Sequence, residues 1–166
     1  MTRRSGTTLI EMLVSIGMLA LVLSLSGMAF AELTQLRGAQ ERYTQRRDAA
    51  LHLLREIALA VRESHGFVAE MDGIKSGRHA LLLRTAEGEL MYRSEPGCVR
   101  RVAVGPSGKQ EAIVMKAEGV QVHFAVEGAV VESARSAVTT AEWTEPLGLG
   151  ISKPMLSLRA SRRAGR

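Results

Sequence analysis

Cysteine occurs once in the chain, at Cys98, which excludes an intrachain disulfide, a Cys-x-x-Cys redox pair and a thiolate zinc site. Aspartate occurs only at Asp48 and Asp72, too few for the oxygen-rich cluster that calcium needs. Proline is absent before Pro96, so no residue in the first half of the chain forces a helix to stop. His52, His65, His79 and His123 show no metal-ligand spacing, and isolated histidines are ordinary surface or packing residues. No nucleophile, base and orienting acid can be assembled from the spacing of the remaining polar residues. The expectation is a chain with no catalytic residues, no metal and no cofactor.

Charge narrows the partners. The net charge is +5, but Arg3 and Arg4 at one end and Arg159, Arg162, Arg163 and Arg166 at the other more than account for it. The stretch between them has no basic face, so nucleic acid is not expected as a partner. Gly105-Pro106-Ser107-Gly108-Lys109 looks superficially like a phosphate loop. That loop would need its first glycine at Ala103 and a hydroxyl at Gln110, so the segment is read as a turn.

What the chain does have is a long apolar run near its start. Glu11 stands at the head of an uncharged stretch from Met12 to Ala31, and about 20 such residues, rising 1.5 Å each as a helix, match a bilayer core of about 30 Å. Arg3 and Arg4 would hold the start of this helix in the cytoplasm and send the rest of the chain outward. A carboxylate at membrane depth costs roughly 2.5–3.5 kcal/mol, so Glu11 calls for a partner or for a place at the headgroup level, where a helix start favours it. Ala29-Phe30-Ala31 has the form of a signal-peptidase site, which leaves open a secreted protein beginning at Glu32. Against that, the run is longer than the roughly 7–15 residues such a signal needs, and apolar residues at three-to-four spacing continue past Ala31. They are Leu33, Leu36, Tyr43, Ala50, Leu51, Leu54, Ile57, Ala58 and Val61, and the pattern predicts one helix from Thr7 to about Ser64. Such a helix would be roughly 85–90 Å long, the dimension of a spine. Gly17, Ser24, Ser26 and Gly27 mark where it would loosen or pack closely. Charged residues crowd the face opposite the stripe, which should lie on a sheet, and Gly66 is expected to cap the helix in the left-handed conformation.

Gly6-Thr7-Thr8-Leu9-Ile10-Glu11, following a short basic leader and preceding this helix, resembles the type III signal of the type IV pilin and type II secretion pseudopilin superfamily. The resemblance covers residues 1–31. It implies that prepilin peptidase cuts after Gly6 and methylates the new amino terminus at Thr7, where members usually carry phenylalanine and other residues are tolerated. The family's acid falls on Glu11 and implies a role in drawing an incoming subunit into register. Cleavage would itself create a cation, because an α-amino group with a pKa near 8 is largely protonated at neutral pH, and Thr7 and Glu11 lie one helical turn apart. Cleavage would also remove Arg3 and Arg4, freeing the subunit for extraction into a fibre.

After Gly66 short strand-like segments alternate with turn formers. The strands are read at 80–85, 90–93, 99–104, 112–116, 120–127 and 155–160. Glu87-Gly88, Pro96-Gly97, Gly105 to Gly108 and Glu118-Gly119 are the turns between them. Residues 128–154 read as a surface loop with a short strand or helix, and the chain beyond Arg159 as a frayed tail. The organisation expected is a leader at 1–6, a membrane or filament-core helix at 7–31, its amphipathic continuation at 32–65, an antiparallel β head at 66–160 and a basic tail at 161–166. This is an α+β fold. Within the superfamily, the lack of a calcium-binding cluster argues against a major pseudopilin, and the lack of a cysteine pair against a major pilin with a disulfide-closed loop. The helix Arg47 to Ile57, the sheet, and a tryptophan ahead of Pro154-Met155-Leu156 resemble a J-type minor pseudopilin. The implied partners are prepilin peptidase, other minor and major pilins or pseudopilins, the inner-membrane assembly platform, and lipid before assembly. The implied location is the inner membrane with the head in the periplasm, then the pilus or pseudopilus. A minor pilin that captures DNA through its arginine tail is the alternative from another class.

Overall fold

The structure is a computed structural model that describes residues 8–116, 118–128, 130–144 and 155–162. It is an α+β fold with one long helix and antiparallel sheets. Helix α1 runs unbroken over Leu9–Glu63, through Ala31 and through Gly17, Ser24, Ser26 and Gly27. The chain divides into two compact units, Met1–Arg42 and Tyr43–Arg166.

In the first unit α1 is the only element among the described residues. None of its side chains is buried, and its large apolar residues are 50–78% exposed, from Leu9 at 78% to Leu36 at 50%. Its hydroxyls are turned inward onto the helix: Ser15 donates to the carbonyl of Glu11, Ser24 to Leu21, Ser26 to Val22 and Thr34 to Ala31. Satisfying these donors within the helix is what an apolar environment demands. Leu33 and Leu36 belong to this unit and are exposed, so the packed stripe is shorter than the sequence pattern suggested.

In the second unit the stripe does pack. Ala50, Leu53, Leu54, Ile57, Ala58 and Val61 are buried, a three-to-four spacing that gives one apolar helix face. All but Leu54 join one core with a five-stranded sheet ordered β1-β4-β5-β6-β7 and a three-stranded sheet ordered β10-β9-β8. The first comprises β1 (Gly66–Phe67), β4 (Ala80–Thr85), β5 (Gly88–Glu95), β6 (Cys98–Gly105) and β7 (Gly108–Lys116). The second comprises β8 (Val120–Glu127), β9 (Ser136–Trp143) and β10 (Met155–Ser161). All neighbouring strands are antiparallel. A small hairpin, β2 (Glu70–Met71) with β3 (Ile74–Lys75), covers the other face of the larger sheet. Strand β4 is therefore buried on both faces: Leu81 and Leu83 join the core under α1, while Ala80 and Leu82 pack with Val68, Met71, Met91 and Val102. The apolar run Ala80-Leu81-Leu82-Leu83 follows from that double cover.

Four expectations are corrected. Gly66 does not cap α1; it is extended in β1 and pairs with Arg84. Ser64 supplies the cap by donating to the carbonyl of Val61, and the His65 amide bonds to Arg84, so the chain enters the sheet without a left-handed turn. Residues 136–143, within the segment read as a surface loop with a short strand or helix, form a full eight-residue strand at the centre of the second sheet. The inward side chains of β9 are Ala137, Thr139, Ala141 and Trp143, and the first three are too small or polar to show the usual alternation. The single meander is correct for β4 to β7, but β8 to β10 form a separate sheet. The arginine end is not frayed where it is described. Arg159 pairs with Glu127 at 2.7 Å, and Arg162 bonds through its amide to Arg135 and through its guanidinium to the carbonyl of His65.

Candidate functional site

The strongest sequence candidate, Glu11, is described in full, whereas Arg3, Arg4, Gly6 and Thr7 lie outside the described residues. Leu9 is the first helical residue and Thr8 is its cap. The Thr8 amide donates to Oε2 of Glu11 at 2.9 Å, and the Glu11 amide approaches Oγ1 of Thr8 at 3.4 Å. This is the reciprocal capping box of a Thr-x-x-Glu start, which satisfies two of the orphan donors of a helix amino terminus. Substituting such a cap by alanine costs about 1 kcal/mol. Thr8 was not singled out from the sequence, although the Thr-x-x-Glu spacing is its signature.

The box accounts for one oxygen of Glu11. Its Oε1 has no hydrogen bond or ion pair among the described residues, and the side chain is exposed at the end of the uncharged run. A helix amino terminus carries partial positive charge that favours a carboxylate there. The same carboxylate can thus hold its own helix start with one oxygen and accept a cation with the other.

Two polar clusters in the second unit were not visible from spacing. Arg100 bridges Glu95 and Glu111, both at 2.8 Å, and holds the Glu95 carboxyl below the usual carboxylate range. His79 and His123, distant in sequence, meet with ring centroids 6.0 Å apart. Burial, and then the Arg78 guanidinium lying 3.4 Å away, depress the pKa of His123, with Glu142 opposing them from 3.9 Å. His52 and His65 are exposed and apart from this pair. Among the described residues no group of three or more His, Cys, Asp or Glu could hold a metal ion. Gly105 to Gly108 is the turn joining β6 and β7, as read from the sequence.

No protein-family model, curated protein or solved structure matches the chain. Among the described residues one helix is long and apolar enough to cross a membrane, as judged by length and composition, and the second unit is an antiparallel head with its own core.

Proposed function

We propose that the chain is a minor pilin or pseudopilin, a structural subunit of a type IV pilus or a type II secretion pseudopilus, and a substrate of an enzyme rather than an enzyme. In this reading prepilin peptidase cuts between Gly6 and Thr7 and methylates Thr7. The helix waits in the inner membrane with the head outside, and the subunit enters the filament through α1. The helix arrangement and the head layout favour a J-type minor pseudopilin.

The observation that carries the reading is the carboxylate of Glu11, engaged through one oxygen among the described residues, at the head of the membrane-length stretch Met12 to Ala31 of α1, whose side chains are all exposed. A cation one turn away or on a neighbour would complete it, and cleavage after Gly6 makes such a cation. The unbroken course of α1 through Ala31 supports this reading over a secreted protein starting at Glu32, which would cut one helix in two. Arg159 and Arg162 spend their guanidinium groups within the head, which disfavours DNA capture by the tail.

The test is Glu11→Ala in cells that assemble the filament. Processing at Gly6 should continue, because the peptidase acts at the glycine, while incorporation into the fibre should fall to a small fraction of the parent's. Incorporation equal to the parent's would remove the assembly role of Glu11.

A further inference from the structure

A cleft opens in the second unit between α1 and the five-stranded sheet. One wall is a stripe of α1 at the margin of the core: Glu56, Leu59, Ala60 and Glu63, at three-to-four spacing, with Ala60 packed against the core and Leu59 and Glu63 exposed. The floor is Tyr92 and Arg101 with the small side chain of Ala103. The end wall is a pair of hairpin turns that abut backbone to backbone. A Cβ on Gly88 would meet the carbonyl oxygen of Val104 at 2.0 Å, and one on Gly105 would meet that of Glu87 at 2.7 Å. Only glycines allow that approach, so the end wall is a packed feature of the fold.

The cleft holds ≈ 910 Å³, near the top of the roughly 300–1,000 Å³ range of ligand pockets, which is room for a peptide segment. A second hollow shares Leu59 and Glu63 with it and continues to His65 and Arg162. The shape is thus an open groove suited to an extended occupant.

Its charge selects the occupant. The chain carries +5 overall, yet Glu56, Glu63, Glu87 and Glu89 surround the main cleft, where Arg101 is the one cation among the described residues; the adjoining hollow adds Arg62 and Arg162, the latter bonded to the His65 carbonyl. Glu56 accepts the Tyr92 hydroxyl at 3.1 Å, and Glu89 has its nearest cation, Arg84, at 4.0 Å. Glu63 and Glu87 make no hydrogen bond or ion pair through their side chains among the described residues. Between these acids stands Leu59, 55% exposed, an apolar step where a solvated helix face would carry a polar residue.

We propose that this cleft is the docking site for an extended segment of a partner protein carrying basic side chains on both sides of an aliphatic one. The aliphatic residue covers Leu59, and the basic residues pair with Glu63 and Glu87. This proposal does not depend on the filament reading.

The test uses the full chain in zwitterionic lipid nanodiscs, with empty nanodiscs subtracted, and fluorescein-labelled Lys-Lys-Leu-Lys-Lys as probe, followed by anisotropy. The expected result is saturable binding that weakens with salt, is weaker for Lys-Lys-Ser-Lys-Lys and is absent for Glu-Glu-Leu-Glu-Glu. The double variant E63K/E87K should weaken binding by about fivefold or more, since it removes two exposed ion pairs of modest strength and sets like charges in their place. The variant E118K/E132K, with the same change in net charge away from the cleft, should stay within about twofold of the parent. All four positions are exposed, and an unchanged thermal unfolding midpoint checks that both variants fold. Absence of saturable binding, or equal loss in the two double variants, would overturn the proposal. Self-association that E63K/E87K abolishes while the peptide does not bind would overturn it in favour of a second copy of this chain.

Discussion

Up to Arg42 helix α1 has no buried side chain, whereas from Tyr43 to Glu63 it buries six residues along one stripe. Both parts are helical, and they differ in how apolar residues are arranged around the axis. In the first part they cover every side from Met12 to Ala31, so no single face is marked for packing and the whole surface calls for an apolar solvent or a ring of neighbours. In the second, charges occupy one side and the stripe on the other is satisfied within the head. One helix therefore carries a part whose environment lies outside the chain and a part whose environment the chain supplies.

The sharpest way to break the contrast is on the packed side. Trp143 is 1% exposed and its ring lies 6.0 Å from that of Tyr43 on α1. Trp143→Ala should cost about 3–5 kcal/mol of head stability, read as a large fall in the thermal unfolding midpoint, with Trp143→Phe retaining much of the parent's stability. A loss below about 1 kcal/mol would mean that the ring is not an anchor of the core. On the exposed side the effect should appear elsewhere. Leu19→Arg, at a position 60% exposed, should cost roughly 2.5–3.5 kcal/mol of membrane insertion and leave the head's unfolding midpoint unchanged. Carbonate extraction reads the first and calorimetry the second. A lowered midpoint with intact insertion would contradict the division of environments.

The smallest expected effect concerns pH and belongs to the head alone. His123 is depressed from the ordinary value of 6.5 by burial and by Arg78. On acidification the unfolded chain therefore takes up this proton first, and the stability contributed by the neutral ring is present above pH 6.5 and lost as pH falls through the lowered value. His123→Gln should flatten the decline in unfolding midpoint between pH 7 and pH 5, and an unchanged slope would exclude this residue as its source. Glu95, held low by Arg100, loses its contribution only at lower pH, below the ordinary carboxylate range.

The same contrast explains what could be read from the sequence. Helix α1 was legible because its apolar spacing is regular and no proline interrupts it, and β4 to β7 because each is bounded by a glycine-bearing turn. Strand β9 was hidden by its small and polar inward residues, and β1 to β3 by being two residues long. The Asp72-Gly73 pair, both at positive φ, is the sequence mark of the β2–β3 hairpin. Gly66 misled because a glycine after a helix usually caps it, and here the Ser64 hydroxyl caps the helix while the His65 amide already bonds to a neighbouring strand. Glu11 was legible as an acid out of place, and its engagement with Thr8 follows from Thr-x-x-Glu spacing. The cleft was not legible, because its acids come from α1 and from the β4–β5 hairpin and meet only in the fold.

In the proposed reading Glu11 awaits a cation made by cutting the chain, and the mature amino terminus tests that proposal most directly. Mass spectrometry of the protein from its native membrane should find a first peptide beginning at Thr7 and carrying one added methyl group. A protein beginning at Glu32, or one that retains Met1 to Gly6 in the assembled state, would contradict the account.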